Sequence, residues 1–308
     1  MRIKDGILYN QINESIDEYS ETRPLVGIED PIKRECFIAQ MIDSVRRIDY
    51  VRLIGNRQSN LNCTIPSDDS FNPLKAATWY KNNDNIDEAF WLIFLSTHFG
   101  HTAKSGWKLV KDVYSGMSDS ITWDWININR NLDLFKFWLN QNEGRLKENG
   151  KFGNHRKYQN LDAYGNRGTG ATFETYINWV NQYGSHENLI NHIINLLDNP
   201  TPKRVFNRLY REMNCVMGFG RTGKFDFLTM IGKMGLANIE PDSAYMSGST
   251  GPYSGAKILF QSNEKPRVLN TWLTEFEEIL NLDFGFQVLE DAICNWQKNT
   301  SEYVYFRG

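Results

Sequence analysis

The sequence predicts an all-α fold. Apolar side chains recur at three- and four-residue spacings in window after window, and strict apolar–polar alternation is almost absent. There is no fixed-period repeat and no low-complexity tract. Ile32, Cys36, Ile38, Ala39, Ile42, Val45, Ile48 and Val51 mark an amphipathic helix over residues 29–55. Residues 57–85 are polar and hold Pro66 and Pro73, which reads as a loop with one short helix. An apolar helix follows over 87–99 and stops near Gly100, and another over 103–115 stops near Gly116. Trp123, Trp125, Ile128, Leu132, Phe135, Trp138 and Leu139 mark one further helix.

The pattern breaks over 143–170, where Gly144, Gly150, Gly153, Gly165, Gly168 and Gly170 are interspersed with charges. A long loop of this kind is usually functional or mobile. Helices resume over 171–182, 186–198 and 202–217, the last entered through a Thr201 cap and Pro202. Segments 225–235, 252–260, 267–280 and 285–298 complete the set, and Tyr303–Phe306 carries a weak alternating signal. The chain thus divides into an N-terminal helical part (1–142), a Gly-rich basic loop (143–170) and a C-terminal helical part with a hairpin (171–308), which could equally form one continuous domain.

Composition narrows the function classes. The 308 residues are 41% hydrophobic and 23% charged, which excludes a disordered chain. A net charge of −3 excludes a globally basic nucleic-acid coat, but not a local basic groove. The apolar run Ala89–Leu95 is far short of the ~20 residues that span a bilayer. The first residues hold no apolar signal core, so no membrane partner and a cytoplasmic location are expected. Cys36, Cys63, Cys215 and Cys294 form no CxxC pair and read as buried, reduced thiols. His98 and His101 lack a nearby third ligand, so no metal and no cofactor are expected.

Three signals bear on chemistry. The first is Gly218–Phe225, which matches both GxGxxG and GxxxxGK. Both motifs follow a strand, whereas 208–213 reads as helix, and Phe225 stands where a phosphate loop needs Ser or Thr. The turn is therefore a helix–helix turn, or one whose Arg221 and Lys224 hold another kind of phosphate. The second signal is Met246–Lys257, where Gly248-Ser249-Thr250-Gly251 precedes small Gly255 and Ala256. It looks like a helix-hairpin-helix turn of the DNA glycosylase type, one residue longer than usual. The third is basic: Lys203, Arg204, Arg208 and Arg211 on one helix, and Lys151, His155, Arg156 and Lys157 in the loop. Trp123, Trp125, Tyr158 and Tyr245 lie near polar segments, where aromatic rings suit stacking on an unpaired base.

Four segments taken in order carry a resemblance: Glu88–Gly100, Phe152–Tyr158, Gly218–Leu228, and Ile239–Tyr245 running into the hairpin. Over roughly residues 30–298 the chain resembles the α-glutamyl/putrescinyl-thymine pyrophosphorylase-like family of bacteriophages and bacteria, regarded as a divergent helix-hairpin-helix DNA glycosylase fold. The resemblance implies thymine hypermodification in DNA. An amine, from an amino acid or putrescine, displaces phosphate or pyrophosphate from activated 5-hydroxymethyluracil, in a pathway that includes a DNA kinase. A phage-encoded member would act in the host cytoplasm.

The chemistry of that reaction assigns roles. The leaving oxygen gains negative charge, which Arg156, Lys157, Arg221 and Lys224 are suited to stabilise. The incoming amine needs a base, for which His155 is first choice and His98 second, with Asp226 as an orienting carboxylate. Gly248, Ser249, Thr250 and Gly251, with Arg204, Arg208 and Arg211, would hold DNA, and Tyr158 and Tyr245 would stack on a flipped base. Two alternatives compete with this reading. One is a glycosylase with a late carboxylate such as Asp283, Glu290 or Asp291; the other is a non-catalytic DNA-binding partner of a base-modification kinase.

Overall fold

A computed structural model describes residues 3–118 and 121–305. Among these residues the regular structure is helical, with fourteen α-helices, short 3-10 turns and no strand. The helices divide into two compact units: the chain up to Tyr50 with the chain from Pro241 on, and Val51–Glu240. The sequence divisions at 142 and 170 both fall inside the second unit.

The first unit contains α1 (Ile3–Thr22), most of α2 (Pro31–Asn56), α12 (Gly251–Phe260), α13 (Pro266–Leu280) and α14 (Gly285–Trp296). Helix α1 packs on α13 and α12 on α14. Gly255 permits the second contact, since a Cβ there would lie 2.2 Å from the Ile293 carbonyl oxygen. Ile12, Phe37, Leu269, Phe276, Val288 and Trp296 are fully buried in this core. The Tyr19 hydroxyl donates to the Trp272 carbonyl at 2.8 Å, tying α1 to α13. Periodicity does not mark α1, whose buried Ile12, Ile16 and Tyr19 are spread thinly through a polar sequence.

The second unit is built around α4 (Ile86–Phe99). Every residue from Glu88 to Phe99 is buried, as expected of a helix that is apolar on all sides. The Asn85 side chain caps it by accepting from the Glu88 N–H, and Gly100 ends it at φ +73°. Helices α3 (Pro73–Asn82), α9 (His186–Asn195) and α11 (Arg221–Lys233) pack against α4. So do α5 (Lys108–Tyr114) and α6 (Trp125–Arg130). Helices α7 (Leu132–Asn149), α8 (Thr169–Asn181) and α10 (Pro202–Glu212) complete the unit. Phe94 stacks on Tyr176 of α8 with ring centroids 3.7 Å apart.

Several sequence expectations need correction. The single helix read from Trp123 to Leu139 is two, α6 and α7, broken at Asn131, and Trp123 precedes the Asp124 cap of the first. Helix α5 is shorter than 103–115, because Thr102 and Gly106 pair their backbones in a closed turn before it. The irregular stretch is 150–168 rather than 143–170, since α7 continues through Gly144 to Asn149. Its glycines pack tightly: a Cβ on Gly168 would lie 2.2 Å from the Asp162 carbonyl oxygen. Tyr303–Tyr305 form no strand, and Phe306 lies outside the described residues. Cys36 and Cys63 are buried as expected, whereas Cys215 is exposed and Cys294 half-buried. The Thr201 cap is as expected, with its hydroxyl accepting from the Arg204 N–H.

Candidate functional site

Three of the four segments that carried the resemblance meet around Arg156. The helix α4 ends at Gly100 so that Gly153 can approach: the Gly153 N–H donates to the Phe99 carbonyl at 2.7 Å, and a Cβ on Gly100 would sit 3.0 Å from the Gly153 Cα. A 3-10 turn over Asn154–Arg156 then aims Arg156 inward, where it is 6% exposed. Its Nε donates to the Thr97 carbonyl and its Nη2 to Asp226 Oδ2 of α11, each at 2.9 Å. The guanidinium also lies 5.6 Å from the Phe219 ring centroid. Burial lowers the Arg156 pKa while Asp226 opposes that shift, and an arginine stays charged at any ordinary pH. The group is thus a buried cation braced by one carboxylate.

The Gly218–Lys224 motif occupies the other side of this brace. Gly218 has φ +75°, and a Cβ on it would fall 2.7 Å from Thr172 Oγ1. The turn is anchored where Gln159 Nε2 donates to the Gly218 carbonyl and the Met217 N–H donates to Thr175 Oγ1, both at 2.9 Å. A 3-10 turn over Met213–Cys215, and no strand, precedes it. Gly220 opens α11, which begins at Arg221. Lys224 is buried: its Nζ donates to Asn214 Oδ1 at 2.5 Å and lies 4.1 Å from the Tyr210 ring centroid. That burial lowers its pKa. Arg221 is half-buried, 5.5 Å from the Phe225 ring centroid.

His98 lies within the same framework and is fully buried. Its Nε2 is 3.0 Å from Thr169 Oγ1, and that hydroxyl donates to the Asn160 carbonyl at 2.7 Å. A hydroxyl has one proton and a carbonyl only accepts, so Nε2–H of His98 is the donor to Thr169. Its Nδ1 is then a bare lone pair, and it has no hydrogen-bond partner. Burial, with the Arg156 charge adding to it, lowers the His98 pKa to about 3, so the ring is neutral.

His155 and Lys157, on either side of Arg156, are exposed. Tyr158 is 87% exposed, with the Lys157 ammonium 5.0 Å from its ring centroid. Arg208 and Arg211 are also exposed; Arg208 pairs with Glu212, and Arg204 donates to the Asn199 carbonyl. Trp123 and Trp125 are core residues, not stacking platforms: the Trp123 carbonyl accepts from Trp91, and Trp125 packs on His186.

The hairpin residues and the late carboxylates belong to the first unit. Gly248 has φ +78°, Ser249 donates to the Met246 carbonyl, Thr250 is the cap position and Gly251 begins α12. The residues before Gly248 are irregular, and the preceding helix, α11, ends at Lys233. Tyr245 is half-buried at φ +48° and donates to Asp242 at 2.6 Å. Asp291 accepts from the Ser44 hydroxyl and pairs with Arg47, Glu290 is buried and Asp283 is exposed.

One feature of the second unit was not legible in the sequence. A cleft of about 540 Å³ opens between the 102–108 and 148–154 segments. Lys104, Lys108 and Lys151 line it with Ser105, Asn149 and Asn154. The Lys-Ser-Gly turn ahead of Trp107 was the available signal, but it reads first as a helix start.

Among the described residues no group of three or more His, Cys, Asp or Glu could hold a metal ion. No helix among them is long and apolar enough to cross a membrane. Neither the curated proteins nor the solved structures contain a match to the chain. Residues 32–308 match the family described as alpha-glutamyl/putrescinyl thymine pyrophosphorylase clade 3, a description that implies thymine hypermodification and a DNA substrate. A match over nearly the whole length shows that the chain belongs to this alpha-glutamyl/putrescinyl thymine pyrophosphorylase family.

Proposed function

We propose that the chain is a transferase that joins an amine, from an amino acid or a polyamine, to thymine-derived 5-hydroxymethyluracil in DNA, activated as a phosphate or pyrophosphate ester. The amine nitrogen attacks the methylene carbon. The carbon–oxygen bond breaks, phosphate or pyrophosphate leaves with the electron pair, and the amine proton passes to a base. The observation that carries this reading is the family match over residues 32–308. The arrangement around Arg156 is consistent with it.

The base in this reading is His155, exposed beside the Arg156 brace. Proton transfer of this kind contributes about 10²- to 10⁴-fold. Lys157 and Arg221 stabilise charge on the leaving group, while Arg156, Asp226, Lys224 and the neutral His98 hold the surrounding loops from within. Tyr158 stacks on the flipped base or fills the gap it leaves. Gly248–Gly251, Tyr245 and the Arg204, Arg208 and Arg211 side chains contact DNA, in a divergent helix-hairpin-helix role. A DNA kinase supplies the activated base.

The test is a product assay. The protein is incubated with 5-hydroxymethyluracil DNA, a DNA kinase, ATP, amino acids and putrescine, and the DNA is digested to nucleosides for mass spectrometry. An aminomethyl-linked nucleoside is the expected result, and its mass names the amine. Free base or abasic sites would replace this reading with a glycosylase, and an unchanged nucleoside profile with a non-catalytic DNA-binding partner.

A further inference from the structure

None of Arg156, Asp226, Lys224 and His98 lines the lysine-lined cleft at 102–108 and 148–154. Its walls are fixed by backbone. Thr102 and Gly106 exchange N–H···O bonds of 3.2 and 2.9 Å, and the Ser105 N–H donates to the Thr102 hydroxyl at 2.9 Å, so Lys104 rides on a closed turn. At the opposite wall a Cβ on Gly150 would sit 2.9 Å from Leu109 Cβ, which locks the end of α7 against α5. The 540 Å³ volume falls in the ~300–1,000 Å³ range of small-ligand sites.

The charge in the cleft favours an anion. Lys108 is held in place by both oxygens of Asp112, at 3.0 and 3.1 Å. Lys104 and Lys151 are exposed and have no hydrogen-bond or ion-pair partner among the described residues. One carboxylate, Glu148, also lines the cleft, against three ammonium groups. Ser105, Asn149 and Asn154 add neutral donors. Asn154 directly precedes His155, so the cleft adjoins the turn that carries the proposed base.

We propose that this cleft binds a phosphate or diphosphate group through Lys104 and Lys151, with Lys108 as a fixed flanking charge. Resting on the transferase reading, that group is the leaving group of the activated base. Compact ammonium groups suit it, since they are point charges with rotatable donors that match phosphate oxygens from several directions. The Arg156 and Lys224 side chains, occupied by Asp226 and Asn214, are thereby left to structure.

The experiment is calorimetric titration of the intact protein with inorganic diphosphate, repeated on the Lys104→Gln/Lys151→Gln double variant. Both side chains are exposed, so the variant is expected to melt with the native protein. The expected result is binding by the native protein and at least a tenfold loss of affinity in the variant, with affinity for unmodified duplex DNA unchanged. Absence of diphosphate binding by the native protein, or equal affinity in the variant, would overturn the proposal. A parallel loss of affinity for unmodified duplex would also overturn it, because the cleft would then serve a backbone phosphate. Diphosphate binding through the two lysines without an aminomethyl nucleoside in the product assay would leave the anion subsite standing and remove the transferase reading.

Discussion

Cutting the Arg156 brace is the most direct test of how the site is held. Asp226→Ala removes the carboxylate that Arg156 pairs with, and leaves a guanidinium with 7% side-chain exposure without that partner. Losing one partner of a buried pair costs about 3–5 kcal/mol. The Asp226 side chain is itself 34% exposed, so water partly compensates and the lower end, about 3 kcal/mol, applies. In a unit of this size each kcal/mol shifts the melting temperature by about 2–4 °C, so a fall of roughly 6–12 °C is expected in thermal denaturation followed by circular dichroism. The origin of the loss is testable in the same assay. If it comes from the stranded charge, Arg156→Met in the Asp226→Ala background recovers more than half of it, although the Thr97 carbonyl loses its donor. A melting temperature within about 2 °C of native for Asp226→Ala, or a double variant less stable than Asp226→Ala, would refute the reasoning.

Four further outcomes follow from individual contacts. The folded-state pKa of His98, about 3, lies below the ordinary value of 6.5, so the unfolded chain protonates first as pH falls. The His98 contribution to stability is complete above about pH 6.5 and is lost toward pH 3, on the order of 5 kcal/mol in all. His98→Phe should flatten that acid limb in urea unfolding, and an unchanged pH profile would count against it. Glu88 runs the other way. Burial raises its carboxyl to about 7, despite donation from Trp125 and Tyr114, so stability declines on the order of 3 kcal/mol as pH rises from 4.5 to about 7. Glu88→Gln should remove that decline, and a variant with the native slope would refute the assignment. Gly218→Ala places a Cβ at φ +75° against Thr172 and should cost at least about 1 kcal/mol by chemical denaturation; a neutral effect would contradict the packed turn. Tyr158→Ala should leave stability within about 0.5 kcal/mol, since the ring is 87% exposed, yet weaken binding to DNA with an unpaired base by about 1–3 kcal/mol. Unaltered binding in a fluorescence anisotropy titration would remove the stacking role.

How much of this was legible varies with the reach of the interactions. Helix α4 was readable because its apolar run is local and ends at a glycine. Helix α1 was not, because its few core residues gain meaning only from partners such as Trp272 and Phe276 far along the chain. The break at Asn131 leaves no mark in the periodicity, because apolar spacing continues across it. In the site, the sequence singled out Arg156, Asp226, Lys224 and His98 by residue type. It gave no means of seeing that all four are buried or partly buried, two of them paired with each other. The loop over 150–168 looked loose because glycine count carries no information on what each glycine touches.

The sequence by itself determined that the chain is helical, where most helices lie, and to which family it belongs, because periodicity, caps and motif order are properties of neighbouring residues. Only the tertiary structure decided which charges are braces and which face solvent. A buried ion pair such as Arg156–Asp226 and a cleft such as that of Lys104 and Lys151 arise when segments tens of residues apart converge, and desolvation, which sets what a charged side chain can do, exists only after they have.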